Sequence, residues 1–163
     1  MLFKEQPKSS MEEEIFEQAE VLENLLSTHL DGNNIIFEVP AEVKKVVLVA
    51  SGSSYHCARF AADLFGNVAD IEARAIYSSE FLLKSVVPHG NDILYWLASD
   101  YKIDCCAGEE KSIAATKSLT TQMLCSTLLV LKYAEQKGID IEPYLLQLKT
   151  LPECIRKTYE LQE

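Results

Sequence analysis

No apolar run in this 163-residue chain is long enough to cross a bilayer, which takes about twenty residues. The first residues, Met1-Leu2-Phe3-Lys4-Glu5-Gln6-Pro7, contain no apolar core of the kind a secretory signal requires, so the cytoplasm is the expected compartment. No C-x-x-C occurs, and the five cysteines (57, 105, 106, 125 and 154) are odd in number. Cys57, Cys125 and Cys154 fall in apolar helical patterns, so the set reads as reduced core thiols rather than a disulfide or zinc framework. The three histidines, His29, His56 and His89, are scattered, and no His/Cys/Asp group has metal-ligand spacing; neither a metal nor a cofactor is expected. A G-x-G-x-x-G fingerprint is missing, and no GKS or GKT closes a glycine-rich loop, which sets aside dinucleotide and P-loop chemistry. Positive charge is short, 15 Lys and Arg against 25 Asp and Glu. The net charge of -10 argues against a nucleic-acid or anionic-membrane partner, without forbidding a local anion seat built from backbone dipoles. There is no internal repeat and no low-complexity tract.

What is present is an ordinary globular composition, 48% hydrophobic and 25% charged, in a length suited to one domain. Its most telling stretch is Val46-Val47-Leu48-Val49-Ala50-Ser51-Gly52-Ser53-Ser54-Tyr55-His56. The aliphatic run reads as a parallel strand buried on both faces. Tyr55, Ala58, Ala62 and Phe65 then recur at helical spacing. Gly52 permits a tight turn between strand and helix, and Ser53 or Ser54 supplies a hydroxyl at the helix start. Free N–H groups and the positive dipole end make that position a seat for phosphate. A plain serine N-cap in a structural βα unit explains the same residues equally well.

Around this centre the chain divides into a flexible leader over 1–10 and a single domain over 11–163. The domain comprises an N-terminal helix (11–30), an α/β core (43–137) and a C-terminal helix (143–162). Ser10 is expected to cap the first helix, whose Glu12-Glu13-Glu14 run reads as a solvated face beside the apolar stripe Ile15, Ala19, Leu22, Leu25 and Leu26. Asp31-Gly32-Asn33-Asn34 marks a turn, and Gly66-Asn67 the close of the central helix. A strand over 71–77, a short helix opened by Ser78-Ser79 and a strand over 93–97 complete a β-α-β-α-β rhythm. A further strand-like run, Tyr101 to Cys106, follows the third strand after only Ala98-Ser99-Asp100, too few residues for a parallel crossover. A long helix is expected over 113–137, stopped by Gly138. Pro143 starts the last helix, which Pro152 kinks or restarts.

Three segments resemble sugar isomerase (SIS) domain proteins. Glu14-Ile15-Phe16-Glu17-Gln18-Ala19 is similar to the family's E-I-x-E-Q-P leader helix, with alanine in place of proline. Ser51-Gly52-Ser53-Ser54-Tyr55-His56 is similar to its first phosphosugar turn, G-x-G-T-S-Y. Residues 107–122, from Ala107-Gly108-Glu109-Glu110 to Thr120-Thr121-Gln122, resemble its A-G-x-E-x-x-V-A-S-T-K-x-x-T-x-Q signature. This last resemblance points to the branch containing the isomerase half of glucosamine-6-phosphate synthase, type II glucosamine-6-phosphate deaminases and ketose/aldose phosphosugar isomerases. The resemblance covers about 11–163 and implies a flavodoxin-like three-layer α/β sandwich with a mainly parallel sheet and long flanking helices. It also implies a phosphorylated sugar as ligand and a homodimer, with isomerisation, deamination or amino transfer on a hexose 6-phosphate as the reaction class. A non-catalytic sensing module and a fragment of a two-domain enzyme are the alternatives. The family's S-x-S-G-x-T phosphate loop, with the helix and strand after it, is absent between Leu97 and Ala98, a block of roughly thirty residues judged by the crossover it supplies.

The resemblance places Gly52, Ser53, Ser54, Ile113, Ala115, Thr116, Lys117 and Glu80 at the substrate, and Glu110 as the catalytic candidate. For Glu110 and Lys117 the alternatives are helix-dipole compensation and a solvated lysine; for Glu80, a pairing with nearby backbone. No histidine receives a catalytic role.

Overall fold

In a computed structural model the described residues are 9–83, 93–95 and 103–161. In chain order they form α1 (Ser10–His29), β1 (Leu30–Asp31), β2 (Asn34–Ile35), β3 (Lys45–Ala50), α2 (Gly52–Val68), β4 (Glu72–Tyr77), α3 (Ser78–Leu83), β5 (Ile93–Tyr95), α4 (Lys117–Gln136), α5 (Glu142–Leu148) and α6 (Leu151–Glu160). The leader before residue 9 and the junction at Leu97-Ala98 lie outside the described residues. The chain divides into two compact units, one of residues 1–36, 104–124 and 142–163, the other of residues 37–103 and 125–141.

The second unit carries the parallel sheet, ordered β4-β3-β5 with the first strand in the centre. Val46, Val47, Leu48 and Val49 are all buried, as the uninterrupted aliphatic run requires of a strand covered on both faces. The fold is α/β with a parallel sheet, as expected. Helix α2 buries Cys57, Ala58, Ala61 and Phe65, a face of period 3.6. The Phe65 ring lies 5.7 Å from Tyr133 of the α4 half in this unit. Gly66 and Asn67 do not close the helix: they stay inside it, and the chain leaves at Ala69 and Asp70, the latter at φ 50°. Fully buried Phe65 and Ala69 hold that last turn in place.

The first unit is helical, with a two-residue antiparallel ladder, β1–β2, around the turn expected at 31–34. Its α1 is capped by Ser9 rather than Ser10, because the Ser9 hydroxyl reaches Glu12 N at 3.2 Å while Ser10 is already helical. Arg156 of α6 grips Glu23 of α1 with both terminal nitrogens, at 2.7 and 2.6 Å, and the Phe16 and Tyr159 rings meet edge-on at 4.9 Å. The expected single C-terminal helix is two, α5 and α6, restarted near Pro152 at the first turn of α6. Residues 103–106 form no strand, correcting the strand-like reading of 101–106; Cys106 sits at φ 54°, incompatible with a ladder. Cys57 and Cys125 are buried thiols as expected, but Cys154 is exposed.

Candidate functional site

The turn after β3 is built as its residues dictate. Gly52 has φ 57°, a conformation that favours glycine, and this lets the strand reverse directly into α2. The cap is Ser51, extended at φ -138°, and it makes no side-chain capping bond; Ser53 and Ser54, expected as caps, lie inside the first turn instead. Ser53 is exposed and Ser54 half-buried, and among the described residues neither hydroxyl has a partner. The N-terminus of a 17-residue helix is thus left without a capping side chain of its own. Beside it the Tyr55 and Tyr77 rings stack at 3.7 Å. Glu80 stands exposed in the first turn of α3.

The segment 107–118 belongs to the other unit and is organised by carboxylates. Glu110 folds back onto the start of α4: Oε1 accepts Thr116 N at 2.8 Å, Thr116 Oγ1 at 3.0 Å and Ser118 N at 3.3 Å, while Oε2 accepts the Ser118 hydroxyl. Burial pushes this carboxyl up, but the bonds from Ser118 and Thr116 outweigh it and hold the group below its ordinary value of 4.5. For this reason α4 begins at Lys117; residues 113–116, expected as helix, instead form the loop that lets Glu110 reach the first turn. Lys117 is not a solvated lysine. Its side chain is 8% exposed and its Nζ lies 2.6 Å from Glu17 Oε2. The hydrogen bond to Glu17 raises its pKa against the effect of burial. Ile113 is fully exposed and Ala115 half-buried.

The α1 side of this arrangement escaped the sequence reading. Glu14, placed with the acid run on a solvated face, is 4% exposed. It accepts the N–H of Lys111, the N–H of Ser112 at 3.2 Å and the Ser112 hydroxyl. The Ser112 hydroxyl, foremost among these bonds, draws the Glu14 carboxyl below its ordinary value. Gln18 Oε1 accepts Thr120 Oγ1 at 2.9 Å. A signal was available, since Glu14 and Gln18 share the helical face of Leu22 and Leu25, where a carboxylate needs a buried partner. The leader-helix and A-G-x-E motifs, about a hundred residues apart, therefore interlock. Within the same unit, Asn24, Thr28 and residues 104–108 line an open hollow of about 590 Å³. Burial raises the Cys106 thiol there. Among the described residues no cluster of His, Cys, Asp and Glu could hold a metal, and no helix is long and apolar enough to cross a membrane.

No family model matches the chain. It is similar to the isomerizing glutamine–fructose-6-phosphate aminotransferase of Campylobacter jejuni, 23% identical over 194 residues that cover 94% of this chain and 32% of that protein. The Helicobacter pylori aminotransferase is 24% identical over 190 residues, covering 91% and 32%. The chain thus spans about a third of the length of the curated relatives it matches. In the Campylobacter comparison 94% of 163 residues is about 153, against 194 aligned, so about forty positions of the relative have no counterpart here. Among solved structures it is similar to the C-terminal domain of glucosamine-fructose-6-phosphate aminotransferase from Francisella tularensis, with TM-score 0.82 and 21% identity over 92% of this chain and 55% of that one.

Proposed function

We propose that the chain is a sugar isomerase (SIS) domain, matching about a third of those aminotransferases, and that it binds a phosphorylated hexose through the N-terminus of α2. The observation that carries this is the Gly52 turn: a helix start whose cap makes no side-chain bond, flanked by two serine hydroxyls without partners among the described residues. A phosphate there meets N–H donors and the dipole together. Fructose 6-phosphate and glucosamine 6-phosphate are the hexose phosphates to try. Residues 113–117 and Glu80, singled out by the family motifs, are the further candidates for contact with a ligand. Glu110 has both oxygens engaged by the first turn of α4, so its role is to shape that turn, and a general base comes from elsewhere.

Binding without efficient turnover is favoured by the forty or so positions that the relatives have and this chain lacks. If the missing S-x-S-G-x-T loop is among them, several charge-assisted hydrogen bonds go with it, each contributing roughly 1.5–3 kcal/mol. Two of them correspond to about a hundredfold to ten-thousandfold in affinity. Calorimetry with both sugar phosphates, beside an isomerisation and deamination assay, tests the reading. Weak binding with little product supports it. Turnover at ordinary enzyme rates, about 1–1000 per second, overturns the non-catalytic part, and no heat with either ligand overturns the binding part.

The same reading places the protein in the cytoplasm as a homodimer. The apolar stripes of α1 and α4 are buried within the chain and give no reason for pairing, but Leu82 and Leu83 of α3 are 82% and 85% exposed. Sedimentation reporting a monomer at high micromolar concentration would remove the dimer.

A further inference from the structure

We infer that Glu14 is a positioning residue for the segment 110–118, which holds candidate ligand contacts on the reading above; the inference rests on that reading for its ligand. Helix α1 grips this segment at two points and the turn of α4 just after it at a third. Glu14 takes the amides of Lys111 and Ser112 and the Ser112 hydroxyl, Glu17 takes the Lys117 ammonium at 2.6 Å, and Gln18 takes the Thr120 hydroxyl at 2.9 Å. Glu110 closes the far end from within, on Thr116 and Ser118. Between the grips, Ile113 and Ala114 stand exposed to solvent.

Two features of Glu14 separate positioning from mere covering. It occupies the stripe of Leu22 and Leu25, where an apolar side chain would cover α1 without the cost of burying a carboxylate. Apolar packing also fixes no direction, whereas a carboxylate receiving two successive backbone N–H groups and a hydroxyl fixes the orientation of the peptide planes at 111–112. The exposed turn that follows is thereby held in one geometry before any ligand arrives, which lowers the ordering cost of binding.

The test compares Glu14→Ala, Glu14→Gln and, as a stability control, Leu145→Ala, a fully buried position on α5. In the full-length chain, fructose 6-phosphate affinity by calorimetry and amide hydrogen exchange at 111–113 are measured for each. The expected result is affinity weakened by about tenfold to a hundredfold in Glu14→Ala and partly restored in Glu14→Gln, which keeps one acceptor oxygen. Leu145→Ala, although thermally destabilised at least as much, stays within about twofold of the parent, and exchange at 111–113 accelerates in Glu14→Ala beyond its rate in Leu145→Ala. Parent-like affinity in Glu14→Ala, or exchange no faster than in the control, overturns the inference. If the unsubstituted chain binds no sugar phosphate, the ligand reading fails, and the exchange arm alone decides whether Glu14 orders the segment.

Discussion

Two of the long helices, α2 of 17 residues and α4 of 20, begin in opposite ways. The start of α4 is filled by its own chain, with Glu110 accepting two backbone amides and two hydroxyls. At the start of α2, the Ser51 cap makes no side-chain bond and the first turn holds no acid. A helix N-terminus carrying its own carboxylate is already neutralised, and one without is available to an incoming anion. The contrast also shows where each helix draws its stability: α4 partly from its cap, α2 almost wholly from its buried face.

The largest effect expected from this contrast is at that face. Phe65→Ala, at a fully buried ring, should cost about 3–5 kcal/mol in chemical denaturation. Glu110→Ala should cost about 1–2 kcal/mol as a lost N-cap and should expose the amides of Thr116 and Ser118 to exchange. Gly52→Ala is expected to cost about 1 kcal/mol through backbone conformation alone, because an added Cβ would meet nothing within 4 Å while φ stays at 57°. Ser51→Ala should lie within about 0.5 kcal/mol of the parent, since no cap bond is lost. A cost like that of Glu110→Ala at Ser51 would erase the distinction between the two starts.

Acid sharpens the comparison. The folded-state pKa values of Glu14 and Glu110 lie below their ordinary value of 4.5, so the stability these groups contribute is complete above pH 4.5 and is lost as pH falls through the depressed values. Denaturation followed from pH 6 to pH 3 should therefore steepen below 4.5. The loss should be smaller in Glu110→Gln, and the α2 turn, which has no carboxylate cap, should add nothing to it.

The strand of 46–50, the Gly52 turn and the parallel sheet were legible because each rests on local pattern: an aliphatic run, one residue able to take positive φ, and β-α-β rhythm. Gly138 stops α4 as expected, at φ 78°. Long-range pairing was not legible. Glu14 looked like one more first-turn acid until Lys111 and Ser112, about a hundred residues away, were seen to bury it. For Lys117 the sequence offered a substrate contact or a solvated lysine, and gave no sign of the Glu17 carboxylate that pairs with it. The helix expected from 113 fails for a related reason: Glu110 offers the first turn of α4 better acceptors than four more helical residues could.

The most direct test of the central claim is the affinity of fructose 6-phosphate, by calorimetry, for the parent chain and for the Ser53→Ala, Ser54→Ala double variant. The account predicts measurable binding in the parent that weakens by about tenfold or more when both hydroxyls are removed, with thermal stability unchanged. Equal affinity in the two proteins would contradict it.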